Sequence, residues 1–258
     1  MCHLREPVPV TILLTRPAGR NEALADRLHS AGLAVCVAPA LHIQVLKGPR
    51  PAPRPGNLYL FVSRQAVEAY FSAIPSVWPA GAWAAGVGAA TASALRAWVP
   101  SAQVLAPDIG DAADSEALLR VIEDRALTPA EAHILRAQHG RDWMADQLRS
   151  RGWKVECHAL YERAPVQMGV QACTLLAEDP QCVLLVTSLE ALEAVDASLR
   201  QHGLSWPLTL HAVTLHVRME RQLQCWYAGK PAEALQVELS AADDVALFHA
   251  ILRASRLL

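Results

Sequence analysis

The sequence contains no uninterrupted apolar run of about 18 residues, which is the length that a membrane-spanning helix needs. Its first ten residues, MCHLREPVPV, lack the apolar core of a secretory signal. An excess of basic residues is missing too, because the formal net charge at pH 7 is −2. These absences predict a soluble protein with no membrane and no nucleic-acid partner.

Paired cysteines are also absent, since the six cysteines include no C-x-x-C pair and lie mostly within apolar runs. This pattern favours reduced, buried thiols over a disulfide framework or a zinc site. Reduced thiols are typical of the cytoplasm, which is the localisation we expect. The six residues are Cys2, Cys36, Cys157, Cys173, Cys182 and Cys225.

The signatures of nucleotide and metal sites are missing as well. No G-x-x-x-x-G-K-[ST] loop occurs, and GVGAAT, residues 86–91, lacks the last glycine of a dinucleotide-binding fingerprint. The histidines form no H-E-x-x-H or similar cluster, so we predict that most are structural or exposed and that no metal is bound. The histidines considered are His42, His133, His139, His158, His211 and His216.

The sequence does contain enough apolar residues to form large hydrophobic cores. Its 258 residues exceed the usual size of one domain, and 52% of them are apolar against 19% charged. Strand-length runs alternate with helix-period segments: VTILLT precedes RNEALADRLHSAG, and LYLFVS precedes RQAVEAYFSAI. The alternation predicts an α/β protein with two domains, each a parallel sheet covered by helices on both faces.

An internal repeat supports two similar doubly wound domains. ILLTRPAGRNEALADRLHSAGLAV and ILRAQHGRDWMADQLRSRGWKV align at an offset of about 120 residues. In both copies a strand leads through a loop into an amphipathic helix, and a glycine ends that helix before the next strand. The matched pairs are Gly19 with Gly140, Leu28 with Leu148, Gly32 with Gly152, and Val35 with Val155.

Two extended segments, CVAPALHIQVL and CHALYERAPVQ, are predicted to cross between the domains. We place linker strands at 38–45 and 159–166. One domain is then discontinuous, comprising 1–37 and 167–258, and the inserted domain spans 46–158. The Pro-rich segment KGPRPAPRPGN is predicted to form a stiff surface loop after the first crossing.

Candidate ligand contacts lie where strands end and helices begin, because helix N-termini offer unpaired amides to anions. Ser63 follows LYLFV, and Thr187 with Ser188 occupies the matching turn after VLLV. Gly88 and Thr91 lie in a third turn of small residues, which also contains Gly86. Ordinary helix capping is the competing interpretation of each turn, and it is the more common role.

Arg16 and Arg136 occupy equivalent loops after strands, where a guanidinium group can bind a carboxylate through two hydrogen bonds. Solvated charge or a salt bridge to a nearby acid is an equally good interpretation. Tyr161 lies in the second crossing segment. Its phenol can donate a proton to a leaving oxygen, although packing is the commoner role of a linker tyrosine.

Five segments of the sequence, in this order over nearly the whole chain, resemble the uroporphyrinogen-III synthase family. The segments are TILLTRPAGRNEALADRLHSAGLAV, LYLFVSRQAVEAYF, GVGAATASAL, AHILRAQHGRDWMADQLRSRGWKVECHALYERA and LLVTSLEALEAV. The resemblance implies two doubly wound α/β domains joined by a two-stranded antiparallel ladder, with an active site in the cleft between them. It further implies a cytoplasmic monomer without metal or organic cofactor.

The implied reaction cyclises the linear tetrapyrrole hydroxymethylbilane, with inversion of ring D and loss of water. By resemblance, Tyr161 is the tyrosine that assists departure of the hydroxyl group, while Ser63, Thr91 and Ser188 match substrate-binding positions. The chain departs from the family's Gly-Pro-x-Thr turn at HAVTLHVRMERQL. Either His216 supplies a substitute contact, or this turn contributes little, or activity is reduced. Transient contact with hydroxymethylbilane synthase is also implied.

Two other functions remain open from the residues alone. A non-catalytic two-domain protein could bind a small polycarboxylate through the same turns, and the altered turn at 211–217 is the feature that leaves this alternative open. An α/β enzyme acting on nucleotides or sugars is disfavoured by the missing phosphate loops.

Overall fold

The computed structural model describes residues 10–74, 77–108, 115–138, 140 and 142–256. The chain divides into two compact units. The discontinuous unit comprises the residues up to His42 and those from Ala164 onward, and the continuous unit comprises Ile43–Arg163. Cys2 and His139, which were considered above, lie outside the described residues.

Strands and helices alternate along the chain. The strands are β1 Thr11–Leu14, β2 Ala34–Val37, β3 Leu41–Val45, β4 Leu58–Phe61, β5 Trp83–Gly86, β6 Val104–Leu105, β7 Glu131–Ala137, β8 Lys154–Pro165, β9 Cys182–Leu185, β10 Leu210–Thr214 and β11 Leu235–Leu239. The helices are α1 Glu22–Ser30, α2 Arg64–Phe71, α3 Ala89–Leu95, α4 Ser115–Asp124, α5 Trp143–Ser150, α6 Val170–Glu178, α7 Leu189–Gln201, α8 Val217–Trp226 and α9 Asp244–Ser255.

The discontinuous unit is built on a five-stranded sheet in the order β11-β10-β9-β1-β2, and its strand pairs are parallel. Leu13 and Leu184 lie in a core with helices α6, α7 and α8 on one face. Ile12 and Val183 lie in a core with helices α1 and α9 on the other. Successive strand residues point to opposite faces, so these fully apolar strands require helices on both sides.

The continuous unit contains a six-stranded sheet in the order β3-β8-β7-β4-β5-β6. The pairs from β8 to β6 are parallel. Helices α2 and α3 pack on one face around Tyr59, Phe61 and Tyr70. Helices α4 and α5 pack on the other face around Leu58 and Leu60. The predicted α/β class, with helices on both faces of two parallel-dominated sheets, is confirmed.

The predicted crossing segments form β3 and β8, which are neighbours at the edge of the six-stranded sheet. The amide of Leu46 donates to the carbonyl of Leu160, and that of Val166 donates to the carbonyl of Ala40. Residue numbers rise along one strand as they fall along the other, so the two strands run antiparallel. The chain passes from one unit to the other within this ladder.

The internal repeat is visible in the backbone. Both β1-α1-β2 and β7-α5-β8 consist of a strand, a helix and a parallel neighbouring strand. Gly32 and Gly152 follow the two helices with φ of +82° and +86°. Glycine adopts this left-handed conformation without the steric cost of a Cβ, which explains why both copies end their helix with it.

The cysteines depart from the prediction. Cys173 and Cys182 are buried, but Cys157 and Cys225 are exposed, so the expectation of buried thiols is wrong for these two. The error arose because a strand or helix within an apolar run still presents one face to water. In the described part of the chain, no helix has both the length and the apolar character needed to cross a bilayer.

Candidate active site

The Ser63 hydroxyl and the Tyr161 phenol form a hydrogen-bonded pair in the continuous unit, with Oγ and Oη 2.9 Å apart. Either hydroxyl can donate in this bond. Ser63 Oγ also accepts from the backbone N–H of Ala66 at 3.2 Å. Tyr161 is 1% exposed, whereas Ser63 is half-buried. The structure therefore brings together two residues that are 98 positions apart in the sequence.

Ser63 is placed by the junction of β4 and α2. It follows the last strand residue Phe61 by two positions and caps the helix with an extended backbone, φ −162° and ψ 163°. The helix can begin there because a serine oxygen satisfies an N–H that has no partner within the first turn. The capping interpretation of Ser63 is thus confirmed.

Tyr161 is placed by an irregularity in β8. Arg136 pairs with Ala159, but the next residue, Ala137, pairs with Tyr161, so β8 contains one extra residue. One inserted residue reverses which side chains face each side of a strand. Tyr161 thereby packs in the cluster that contains Phe61 and, through its phenol, reaches Ser63.

In the turn that contains Gly86, Gly88 and Thr91, the small residues mainly allow helix α3 to pack closely against the end of β5. A Cβ on Gly86 would lie 3.1 Å from the Ala92 nitrogen and 3.2 Å from Thr91 Cγ2, so the missing side chain admits helix α3 rather than a ligand. Thr91 is only 6% exposed. Gly88 is half-buried at the N-cap of α3, where no side chain caps the helix. Of Gly86, Gly88 and Thr91, Gly88 is the only one that is not buried.

Arg136 is the penultimate residue of β7 and not a loop residue as predicted, because the strand continues to Ala137; its side chain binds the beginning of α5. Its Nη1 lies 2.8 Å from Oδ1 of Asp142, the N-cap residue of that helix. The arginine side chain is 18% exposed, and that of Asp142 is 65% exposed. The salt-bridge interpretation is therefore correct for this residue, and any ligand carboxylate would share the guanidinium with Asp142.

Ser188 repeats the geometry of Ser63 in the discontinuous unit. It caps α7 with φ −153° and ψ 159°, and its Oγ accepts from Ala191 N–H at 3.1 Å. Thr187 precedes it, and both residues are half-buried beyond the end of β9. Within the described residues, a phenol contacts Ser63 but not Ser188.

Arg16 follows β1 and forms a salt bridge with Asp244, in the first turn of α9, at 2.7 Å. Its side chain is 11% exposed. Its Nε and Nη2 atoms are buried and have no hydrogen-bond partner among the described residues. Buried guanidinium donors without partners are costly, so an approaching carboxylate would gain from both atoms.

His216 replaces a hydroxyl as a helix cap. Its Nδ1 accepts from the Arg218 N–H at 3.1 Å at the start of α8, and the residue is exposed. Because Nδ1 is an acceptor here, the neutral ring carries its proton on Nε2. Two residues earlier, Thr214 is fully buried and its Oγ1 has no partner among the described residues.

The arrangement suits an anionic ligand. In a parallel sheet the strands end at the same edge, so the helices that follow them direct their N-termini toward that edge. Ser63, Ser188 and His216 begin such helices, α2, α7 and α8. Helix N-termini carry partial positive charge and unpaired N–H groups, which stabilise carboxylates.

The structure also assembles a group that the sequence analysis missed. His133 on β7 lies beside Glu156 and His158 on β8, and one ligand atom from each lies within 4.8 Å of the others. A short pattern signals the group, because Glu-x-His occurs as EAH at 131–133 and again as ECH at 156–158. Motif spacing within one helix does not detect ligands on paired strands, so the absence of an H-E-x-x-H motif gave no sign of this group.

The two imidazoles of this group are shifted toward their neutral forms. Burial lowers the pKa of His133, while the carboxylates of Glu156 and Glu131 oppose that shift. Burial also lowers the pKa of His158, and the nearby His133 adds to the effect. A neutral imidazole has a free lone pair for a hydrogen bond or a metal ion.

Known proteins agree with the fold. A structure of uroporphyrinogen-III synthetase from Helicobacter pylori 26695 covers 95% of this chain and all of its own, at 12% identity and a TM-score of 0.51. A mutant uroporphyrinogen III synthase from the extremely thermophilic bacterium Thermus thermophilus covers 96% of this chain and all of its own, at 16% identity and a TM-score of 0.49. At 12% identity the likeness to the Helicobacter pylori structure shows the fold alone.

The sequence itself decides the family. The family described as Uroporphyrinogen-III synthase HemD matches residues 11–233, which is most of the chain. The matched range contains all of the candidate site residues, from Arg16 to His216. The chain belongs to the uroporphyrinogen-III synthase family, which consists of lyases of haem biosynthesis.

Proposed function

We propose that this chain cyclises hydroxymethylbilane to uroporphyrinogen III, with inversion of ring D and loss of water. The observation that carries the proposal is the family match over residues 11–233. Nothing in the comparisons supports a non-catalytic polycarboxylate binder.

The proposed proton donor is Tyr161. Loss of the terminal hydroxyl as water requires a proton at the leaving oxygen, and a phenol can supply it. Because Tyr161 is buried and bonded to the less buried Ser63, we assign Ser63 as the hydroxyl through which the proton reaches the substrate. Ser63 donates its proton to the leaving oxygen as it accepts one from the phenol.

The substrate carries eight carboxylates, and both units contain candidate groups for them. The continuous unit offers Ser63, Gly88, Thr91 and Arg136, and the discontinuous unit offers Arg16, Thr187, Ser188 and His216. The buried Nε and Nη2 of Arg16 are the donors with the most to gain from a carboxylate. We propose that these groups bind the carboxylates and hold the bilane folded for closure.

Positioning is the larger part of the proposed catalysis. Hydroxymethylbilane closes without inversion when it is unassisted, so the enzyme has to favour attack at the substituted carbon of ring D. Holding the reacting carbons in contact lowers the entropic part of that barrier. We further propose a cytoplasmic monomer that receives its substrate through transient contact with hydroxymethylbilane synthase. The free, partly exposed cysteines are compatible with a reducing compartment.

The proposed activity is tested by identifying which isomer of the product is formed. Hydroxymethylbilane is generated in place by its synthase, this protein is added, and the oxidised uroporphyrins are separated by chromatography. We expect type III in excess of the type I product that forms spontaneously. A product that remains type I at every concentration of folded protein would refute the proposed activity.

A further inference from the structure

The group formed by His133, Glu156 and His158 has the dimensions of a metal site. His133 Nδ1 lies 3.1 Å from His158 Nε2. Glu156 Oε2 lies 3.9 Å from the first of these atoms and 3.8 Å from the second. Ligand atoms about 2.0–2.1 Å from a tetrahedral zinc ion are about 3.3 Å apart. Shifts of roughly half an ångström therefore convert the present triangle into one face of a zinc tetrahedron.

His133 has a carboxylate near its second ring nitrogen, although at more than hydrogen-bond distance. A ligating imidazole usually directs its second nitrogen to a carboxylate, which fixes the ring and raises its basicity. His133 Nε2 lies 4.0 Å from Oε2 of Glu131. That carboxylate is held by Lys154 at 2.9 Å and by Asn57 at 3.2 Å. The His133 ring is also stacked on Tyr59, with centroids 4.9 Å apart.

The group opens into a cavity of about 290 Å³. The Pro-rich segment covers one side of this cavity, contributing Pro49 to Ala52 and Arg54. The segment is anchored, because Tyr59 and Tyr70 donate hydrogen bonds to the carbonyls of Ala52 and Pro51. The cationic side chains of Arg50 and Arg54 oppose a bare cation, but they favour an anion or a water as the fourth ligand of a bound metal ion.

We propose that His133 Nδ1, His158 Nε2 and the Glu156 carboxylate bind one divalent metal ion of the zinc class, with the fourth position open to the cavity. Two imidazoles and one carboxylate are ligands that zinc accepts, and three protein ligands leave one position for a small molecule. The site is separate from the Ser63–Tyr161 pair, because His133 lies four positions along β7 from Ala137, the partner of Tyr161. That separation is about 13 Å along the strand.

The test measures binding and does not depend on turnover. The full-length protein is stripped with a chelator and titrated with Zn²⁺ by calorimetry, and with Co²⁺ by visible absorption. We expect one ion per chain and the intense visible bands of tetrahedral Co²⁺. His158→Gln and Glu156→Gln should each weaken binding at least 10-fold, and Glu131→Gln should weaken it about 10- to 100-fold.

Two controls identify the ligands. Cys157 lies between Glu156 and His158 and points to the opposite face of β8, so Cys157→Ser should bind like the natural chain. His42→Gln removes an exposed histidine on the neighbouring strand β3 and should also have no effect. Binding that survives in His158→Gln, or that is lost in Cys157→Ser, would overturn the proposal. Since Glu156 and His158 are partly exposed, their variants are expected to fold, which circular dichroism verifies.

Discussion

At the scale of single residues, Tyr161 differs from the other buried tyrosines by its partner. Tyr59 and Tyr70 donate to backbone carbonyls, whereas the Tyr161 phenol meets the hydroxyl of Ser63. A backbone carbonyl can only accept, while a serine hydroxyl can accept one proton and donate another. This difference makes Tyr161 the tyrosine suited to proton transfer.

Tyr161→Phe is expected to lower kcat by about 10²- to 10⁴-fold, the usual contribution of a general acid, with a smaller change in KM. The substitution removes a proton donor and leaves the carboxylate contacts in place. The control is Tyr59→Phe, which removes a phenol from the same core cluster but from different hydrogen bonds. Steady-state kinetics in the coupled assay provides the measurement, and an unchanged kcat in Tyr161→Phe would remove the residue from the mechanism.

The two capping serines allow a matched comparison. Ser63→Ala and Ser188→Ala each remove one cap, which is worth about 1 kcal/mol of the free energy of unfolding. Ser63→Ala also leaves the buried phenol of Tyr161 without its partner, at a further cost of about 1–3 kcal/mol. Chemical denaturation of both variants measures the difference. Equal losses would mean that the Ser63–Tyr161 bond does not contribute to stability.

His211 is expected to make the stability of the folded chain depend on pH. It is 6% exposed, its Nδ1 has no partner among the described residues, and burial lowers its pKa. The unfolded chain, with a histidine pKa near 6.5, therefore binds a proton at higher pH than the folded chain does. The stabilisation that comes from burying neutral His211 is complete above about pH 6.5. It decreases as the pH falls below that value, because the unfolded chain then binds a proton that the folded chain does not.

We expect the melting temperature of the natural chain to fall between about pH 8 and pH 5, and His211→Gln to reduce that fall. The control is His42→Gln, which removes an exposed histidine from β3 in the same way. An identical slope in the natural chain and His211→Gln would show that this histidine does not titrate with folding.

At the scale of secondary-structure elements, the glycines after α1 and α5 should behave alike. Gly32 and Gly152 both have left-handed backbones, and a Cβ at either would meet no atom closer than 3.8 Å. Gly32→Ala and Gly152→Ala should therefore each cost roughly 1–2 kcal/mol through backbone strain alone. Gly32→Asn is the control, because asparagine tolerates this conformation better. Thermal unfolding measures all three, and a loss at one alanine variant only would contradict the equivalence of the repeats.

The elements also show what could be predicted from the sequence. Strand and helix periods, the repeated glycines and the capping roles of Ser63 and Ser188 depend on local residues, and these were predicted correctly. The meeting of Tyr161 with Ser63 depends on the extra residue in β8, and the histidine group depends on the register of β7 with β8. Register is decided by packing of whole sheets, so local patterns do not contain it.

The ion-pair partners of Arg16 and Arg136 could not be predicted from the sequence, for a similar reason. Arg16 was correctly placed after a strand, whereas Arg136 lies inside β7, and Asp142 and Asp244 were not identified as the ion-pair partners. Asp244 lies 228 positions from Arg16, and only the completed sheet brings α9 to the end of β1. The roles of these arginines in substrate binding stay predictions.

At the scale of the whole molecule, the division of the chain into two units has a direct consequence for the proposed reaction. The continuous unit has its own sheet and two cores, one on each face. The strands from β3 to β8 lie within residues 41–165, so a fragment of that range contains the complete six-stranded sheet. A compact unit with its own core can fold alone.

We therefore expect the fragment 41–165 to fold and to unfold cooperatively in a circular dichroism melt. It should yield only type I uroporphyrin in the coupled assay, because Arg16, Ser188 and His216 are missing from it. It should still bind one Zn²⁺ ion, since all three proposed ligands lie in the continuous unit. A folded fragment that produced type III on its own would show that the groups of the discontinuous unit are dispensable, and substrate binding would then have to be assigned to the continuous unit alone.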